Sequence, residues 1–303
     1  MPAKVILNPY AARWEAQKRQ PEAEAALQAA GVAYELVVSQ YPGHGIELAA
    51  QAVHDGFSPV IAAGGDSTYN EVVNGLFQAY GEAVVQTAYG ILPMGTANDL
   101  ADNLGIPKDL PGAARIIAEG FTRPVDLCQV NNRYFINNSG IGLETTVTVI
   151  QMKMKHLHGV FRYMLATLVA IMRNPNWIMD IEWDDGEYHG PVKLVSVGNN
   201  PRTGGVFYTV PNANPFDGKL TFVFGSVNTR LEVLRLLPRI MKTGEGNYTR
   251  HPNVFEHHCT WIKIHTEPET PAHTDGEVFD FAIQDLEYHI HPAKVPMLLP
   301  KHV

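Results

Sequence analysis

The segment Val60-Ile61-Ala62-Ala63-Gly64-Gly65-Asp66-Ser67-Thr68-Tyr69 sets the architecture of the N-terminal half. Its first four residues read as a short buried strand, and two glycines then permit a tight turn with close backbone approach. Tyr69, Val72, Val73, Leu76, Phe77 and Tyr80 follow as one apolar stripe at helical spacing. A strand that passes through a glycine bend into a helix aims backbone amides, and the positive end of the helix dipole, at the space beyond the bend. That is an anion site, and phosphate suits it. Asp66 beside bound phosphate could hold a magnesium ion, which takes carboxylate and phosphate oxygens together. The structural reading of the same residues is a tight turn with Thr68 and Glu71 as a capping box.

The surrounding chain repeats the pattern. Val5–Leu7, Glu35–Val38, Val60–Ala63 and Tyr89–Leu92 read as short strands. Helical patterns separate them. Pro21 to Ala30 stops at Gly31, Ile46, Ala49, Ala50 and Val53 form a stripe ending at Gly56, and Leu110 to Glu119 closes at Gly120. Such alternation predicts a Rossmann-like α/β domain with a parallel, helix-covered sheet over residues 1–124, completed by 292–303. From about Val125 strand patterns dominate, with turn signals at Asn131-Asn132, Asp185-Gly186, Asp217-Gly218 and Asp275-Gly276. Residues 125–291 therefore read as a mostly-β sandwich, interrupted by helical insertions near Thr145–Met172 and Thr229–Met241, with a cleft expected between the domains.

Leu92-Pro93-Met94-Gly95-Thr96-Ala97-Asn98-Asp99 again runs from a strand through a glycine into a helix, with Thr96 and Asp99 as candidate caps. Two glycine-opened helix N-termini after neighbouring parallel strands converge at the carboxyl edge of one sheet, where open α/β folds bind ligands. No Gly-x-Gly-x-x-Gly follows the first strand and no Gly-x-x-x-x-Gly-Lys-Ser/Thr occurs, which disfavours a dinucleotide oxidoreductase and a P-loop enzyme. Far downstream, His273-Thr274-Asp275-Gly276-Glu277 reads either as a hairpin turn or as a carboxylate pair fit to take a proton from an attacking hydroxyl.

Composition bounds the rest. The chain has 303 residues, 31 acidic against 23 basic, and a net charge of −8, with 45% apolar and 18% charged residues. These values describe a folded protein of about two domains and disfavour nucleic-acid binding, which needs a basic face. Only two cysteines occur, Cys128 and Cys259, so free thiols in a reducing cytoplasm are expected. The longest apolar stretch, Val160 to Met172, is shorter than the ~20 residues of a spanning helix and contains Arg162. Trp177, Trp183 and Trp261 lie in strand patterns and are expected in the core, and the His289/His291 pair lacks further ligands at zinc spacing.

Taken together, these motifs resemble the diacylglycerol/sphingosine/ceramide lipid kinase family. Gly64-Gly65-Asp66-Ser67-Thr68 with Asn70-Glu71 resembles the family's Gly-Gly-Asp-Gly-Thr signature, and Gly95-Thr96-Ala97-Asn98-Asp99 its second signature. Asn8-Pro9, Gly43-His44-Gly45, Asn138-Ser139-Gly140-Ile141-Gly142 and Asp275-Gly276-Glu277 fall in the expected order, so the resemblance runs from Val5 to about Pro292 and is closest to the bacterial, soluble branch. It implies an ATP-dependent kinase with Mg2+, acting on a lipid hydroxyl such as that of diacylglycerol. It also implies a cytoplasmic location, peripheral at the inner membrane face, and leaves the oligomeric state open, a homodimer included.

Carried over by position, Asn8, Pro9, Tyr10, Ala11 and Ala12 form a nucleotide loop and Ser39 touches ATP. Gly64, Gly65, Asp66, Ser67, Thr68, Tyr69 and Asn70 cradle phosphates, while Gly95 and Thr96 contact the nucleotide. Asp275 or Glu277 accepts the proton. Besides Asp66, the loop Asn214-Pro215-Phe216-Asp217-Gly218-Lys219 resembles a magnesium loop, with Asp217 as side-chain ligand and carbonyls from Asn214 and Lys219. Four departures stand out: Ser67 for Gly, Ala12 for Gly, Asp102 for Arg, and Thr221 for an acidic residue. Lys153, Lys155, His156, His158 and Arg162 in the first insertion, and Arg230, Arg235 and Arg239 in the second, leave two readings open: helices packed on the sandwich, or helices lying on an anionic membrane. The alternatives to a lipid kinase are a kinase of a soluble alcohol of the NAD-kinase type and a nucleotide- or lipid-binding protein without catalysis.

Overall fold

Short apolar runs become a parallel sheet where helices cover both faces. β1 (Ala3–Leu7), α1 (Glu15–Lys18), α2 (Gln20–Ala29), β2 (Tyr34–Val38), α3 (His44–His54), β3 (Val60–Gly64), α4 (Asp66–Tyr80), β4 (Tyr89–Pro93), α5 (Asp99–Asn103) and α6 (Leu110–Glu119) follow in that order. The computed structural model describes residues 1–302 apart from 82, 84, 155, 156, 158, 174 and 228, so Lys155, His156 and His158 lie outside the described residues. The chain divides into two units: Met1–Leu127 with Arg133–Ile136 and His291–Val303, and Cys128–Asn132 with Asn137–Ile290.

In the first unit the strand order is β2-β1-β3-β4, all parallel. Every residue of β3 and β4 is buried, as continuous apolar strands in a two-sided sheet must be. Each helix has a local reason to start and stop. In α6, for example, the Asp109 carboxylate caps the Gly112 amide at 2.7 Å and Gly120 ends the helix in the left-handed region, φ 65°. Because β2 lies on one side of β1 and β3 on the other, the sheet changes direction between β1 and β3. Their carboxyl ends therefore open onto a crevice free of crossing connections.

β5 (Thr122–Val130) and β6 (Arg133–Phe135) lead into the second unit: β7 (Asn138–Gly142), α7 (Leu143–Lys153), α8 (Gly159–Arg173), β8 (Trp177–Trp183), β9 (Gly186–Val192), β10 (Leu194–Gly198), β11 (Leu220–Gly225), α9 (Arg230–Leu236), β12 (Val254–Cys259), β13 (Trp261–Thr274) and β14 (Glu277–Leu298). Antiparallel pairing gives β12-β11-β10-β7-β13-β14, with β8 and β9 added through β13. Trp261–Thr274 is long enough to serve two neighbours. Its first half pairs β8, its last three residues pair β7, and register shifts between His265 and His273 bend it from one layer to the other.

Several expected elements differ in detail. The hairpin after β8 turns on Asp184-Asp185, because Trp183 and Gly186 face each other across the ladder. β9 carries Gly and Pro and gave no strand pattern, and the runs near 278–283 and 286–290 are one continuous strand. Cys128 and Cys259 are buried free thiols, and Trp177 and Trp183 are buried as expected, while Trp261 is half-buried.

Candidate active site

The two glycine bends touch. A β-carbon on Gly65 would lie 3.0 Å from Gly95 Cα, and one on Gly95 would collide with Gly65 Cα, so only glycine fits at the second bend. The Met94 amide donates to Gly64 O at 2.7 Å and knits the loops further. Asn98 locks them: its Oδ1 accepts the Gly95 amide at 2.9 Å and its Nδ2 donates back to Gly95 O at 3.0 Å. It can do so from a left-handed backbone, φ 52°, which Asn tolerates better than most residues. The buried Tyr69 hydroxyl lies 2.9 Å from Gly64 O and 3.1 Å from Asn98 Oδ1, and burial pushes its pKa well up, so it remains a donor.

The Asp66 carboxyl turns toward the start of α5. Its Oδ1 accepts the Leu100 amide at 3.0 Å. Burial raises its pKa, against the pull of backbone amides at Leu100, Asp99, Asp66 and Asn98. A carboxyl so engaged ties one bend to the other. Glu71 has a different job from the expected capping box. It accepts the Gly43 and Gly45 amides at 2.8 and 2.9 Å and fills the anion position at the N-terminus of α3. Thr68 Oγ1 instead accepts Asn8 Nδ2 at 3.0 Å, and no side chain caps α4. Neither does Thr96 cap α5: it is exposed, and Asn98 takes the N-cap position. Gly65, at the N-cap of α4, offers no side-chain oxygen to the first-turn amides, which open beside the crevice.

The Asn8-to-Ala12 loop joins this edge, since the Asn8 amide donates to Ala63 O at 3.0 Å and Asn8 Oδ1 accepts the Tyr10 amide at 3.0 Å. Ser39 is buried at the end of β2, its amide bonded to Leu7 O at 2.8 Å. Asn70 is buried and reaches Tyr134 O at 3.0 Å. The first unit thus brings Asn8, Gly64 to Asn70 and Gly95 together at the carboxyl ends of three strands.

In the second unit Asp275-Gly276 is a two-residue hairpin turn. Thr274 faces Glu277, and both turn residues are left-handed, φ 47° and 84°. The buried Asp275 carboxylate accepts the Asn137 and Asn138 amides, each at 2.9 Å, and its own amide donates to Asn138 O at 2.7 Å. Glu277 is exposed.

Comparison with known proteins agrees with this anatomy. Residues 2–130 match the diacylglycerol kinase catalytic domain, and residues 138–298 match the YegS C-terminal NAD kinase beta sandwich-like domain. Diacylglycerol kinases of Staphylococcus aureus strains bovine RF122 / ET3-1 and MRSA252 are each 30% identical over 276 residues, covering 91% of this chain and 85% of theirs. The chain belongs to the diacylglycerol kinase family of lipid kinases. A crystal structure of a diacylglycerol kinase from Bacillus anthracis str. Sterne shares the fold, with a TM-score of 0.76 at 22% identity over 100% of this chain and 98% of that one.

Within this lipid-kinase family the departures can be placed. Ser67 sits inside α4 and is not among the left-handed residues, so it fits without backbone strain where the signature has Gly. Ala12 does carry strain, at φ 49°. Asp102 pairs with Lys108 at 2.6 Å, and Lys108 also donates to Ala97 O at 2.9 Å, which returns a cation to the second bend. Thr221 Oγ1 pairs with His258 Nδ1 at 2.9 Å.

The second unit also encloses a mainly apolar cavity of about 80 Å3, lined among others by Val147, Tyr163, Ile171, Phe207, Leu236 and Ile240. One polar wall breaks it. The Glu144 carboxylate meets the Ser196 hydroxyl, and its other oxygen lies 3.3 Å from His273 Nε2. Sequence reasoning missed Glu71, Asn98 and Glu144 as site residues. Glu71 and Asn98 lay inside the quoted motifs, but only their partners reveal their roles.

Proposed function

We propose that this lipid-kinase family member transfers the γ-phosphate of ATP to the hydroxyl of diacylglycerol or a related lipid. The observation that carries the reading is the backbone contact of two glycine bends beside an uncapped helix N-terminus, at the carboxyl edge of the parallel sheet. Amides of Gly65 to Thr68 and of the Gly95-Thr96 bend would hold the nucleotide phosphates, and Asn8 to Ala12 with Ser39 would flank the rest of the nucleotide. Phosphoryl transfer asks the protein mainly for positioning and charge neutralisation, which fixed amides supply without reorganisation. A carboxylate of the Asp275–Glu277 turn takes the hydroxyl proton as the new P–O bond forms, and ADP leaves. The apolar walls of the cavity suit acyl chains.

Magnesium, carried by the ATP phosphates, would neutralise developing charge. A second, structural ion would be held by the Asn214–Lys219 loop. Asn214 and Asp217 each accept an amide two residues on, at 3.2 and 3.0 Å, which curls the loop, and their side-chain oxygens are of the kind a hard cation takes. Magnesium chloride is expected to raise the melting temperature of the parent, and Asp217→Asn should abolish that rise. An equal rise in both proteins would remove the loop from the metal assignment.

Transfer of labelled γ-phosphate from ATP to diacylglycerol, sphingosine, phosphatidylglycerol, NAD and water tests the main reading. Label in a lipid is the expected result. Label in NAD alone would favour the soluble-alcohol kinase, and ATP binding with no transfer to any acceptor a binding protein.

A further inference from the structure

Exposed aromatic rings gather at one end of the first unit. Among its described residues four aromatic side chains are exposed. Three of them, Tyr10, Trp14 and Tyr41, stand where the chain leaves β1 and β2 at the carboxyl edge of the sheet. They are 42%, 51% and 46% exposed. An aromatic ring stabilises a protein by leaving water, so rings held at the rim of a ligand crevice mark a contact that the chain itself does not make.

The backbone holds them there against its own preference. Ala12, Arg13 and Trp14 are three successive non-glycine residues in the left-handed region, at φ 49°, 60° and 74°. L-residues visit that region singly and at a cost. A run of three keeps its form only where surrounding contacts fix it, and such strain gathers at ligand-binding segments. The turn folds Trp14 back toward Tyr10. The Trp14 amide donates to Tyr10 O at 3.3 Å, and the two rings meet edge to face, 4.3 Å apart at 67°. An edge-to-face pair leaves flat ring area open to a third ring. The Tyr10 hydroxyl donates to Gln40 O at 3.0 Å, which ties the pair to the loop after β2. There Tyr41 stacks on His44 at 4.4 Å and its hydroxyl donates to Glu47 at 2.8 Å. Both phenol hydroxyls are engaged by the protein, so the rim presents ring faces.

Position supplies the chemistry of the ligand. Asn8 begins the same loop as Tyr10 and Trp14, and its Nδ2 donates to Thr68 Oγ1 at 3.0 Å, at the start of α4 and beside the proposed phosphate position. In the order β2-β1-β3-β4 the two glycine bends take the ends of β3 and β4. The ends of β1 and β2, with their aromatic rim, remain for the rest of the molecule. We infer that Trp14, backed by Tyr10, stacks on the purine base of the nucleotide, and that this site grips a purine without reading its edge. The inference rests on the assignment of the glycine bends to nucleotide phosphates and adds the group that holds the other end. Stacking is tolerant of base identity, because every base has a π-face.

Calorimetric titration of the full chain with ATP, GTP and inorganic tripolyphosphate tests this. GTP should bind within about tenfold of ATP. Trp14→Ala should weaken ATP and GTP by about 5- to 100-fold, the contribution of one base–aromatic stack, and leave tripolyphosphate at parent strength. Trp14→Phe keeps a ring and should hold ATP to within about threefold of the parent. Both variants should melt like the parent, since the indole is exposed. ATP should quench the tryptophan emission of the parent and not that of Trp14→Phe, because Trp177, Trp183 and Trp261 all lie in the second unit. Parent-like ATP affinity in Trp14→Ala overturns the inference. An equal loss of ATP and tripolyphosphate also overturns it, because Trp14 would then only support the loop. So does a preference for ATP over GTP beyond about 10²-fold, which needs a group that hydrogen-bonds the base edge. If ATP binding responds to Trp14 as expected and no acceptor is phosphorylated, the base site stands and the lipid-kinase reading falls. A parent that binds neither ATP nor tripolyphosphate overturns both.

Discussion

Asp275→Asn is expected to slow phosphate transfer by about 10²–10⁴-fold, the usual contribution of a positioned general base. The substitution is unusually clean. The Asp275 oxygen that accepts the Asn137 and Asn138 amides can be replaced by the Asn carbonyl, and the left-handed turn at φ 47° suits Asn as well as Asp. Folding should therefore survive while the basic oxygen is lost, and urea unfolding would verify that. Glu277→Gln is the companion. Glu277 is exposed, so its substitution should leave stability untouched. A loss confined to one variant names the base. Parent rates in both, with ATP binding intact, would remove the turn from the chemistry.

Gly95→Ala should have the second large effect. The added methyl collides with the Gly65 backbone and comes within 2.7 Å of Asn98 Oδ1. Neither is the flexible end of a side chain, so the two bends must separate. Overpacking of this kind costs about 1–3 kcal/mol of stability. The larger consequence is for ligand binding, because amides of both bends would no longer converge on one phosphate group. ATP affinity measured by calorimetry should fall about 10²-fold or more, as expected when small displacements spoil a preorganised site. Gly65→Ala is milder, since its methyl would sit 3.0 Å from Gly95 Cα. Parent-like ATP affinity in Gly95→Ala would end the assignment of the paired bends to the nucleotide.

Much of this site was legible in the chain itself. The run from Val60 into Tyr69 and the run from Leu92 into Asp99 show strand, bend and helix in order, and both strands are buried as their apolar runs predict. The Asp275-Gly276 hairpin was equally visible, because a two-residue turn with both backbones left-handed selects that dipeptide. What resisted was the partner of each polar group. Thr68 and Glu71 have the spacing of a capping box, yet Thr68 bonds Asn8 and Glu71 bonds Gly43 and Gly45, which lie 28 and 26 positions before it. Local spacing proposes a local partner, and a half-buried carboxylate such as Glu71 takes whichever amides the packing brings nearest.

The outer helices of the second unit make the same point from the surface. Sequence left α8 and α9 between packing and membrane contact, because an apolar residue reads alike whether it faces a core or water. Periodicity depends only on neighbours along the chain, so the amino-acid order sufficed for the strands, the helices, the glycine bends and the acidic hairpin. Which face of α8 meets the cavity, that Gly65 and Gly95 touch, and that Asp66 serves α5 depend on contacts between distant segments. Those were decided only when the sheet and its helices closed around them.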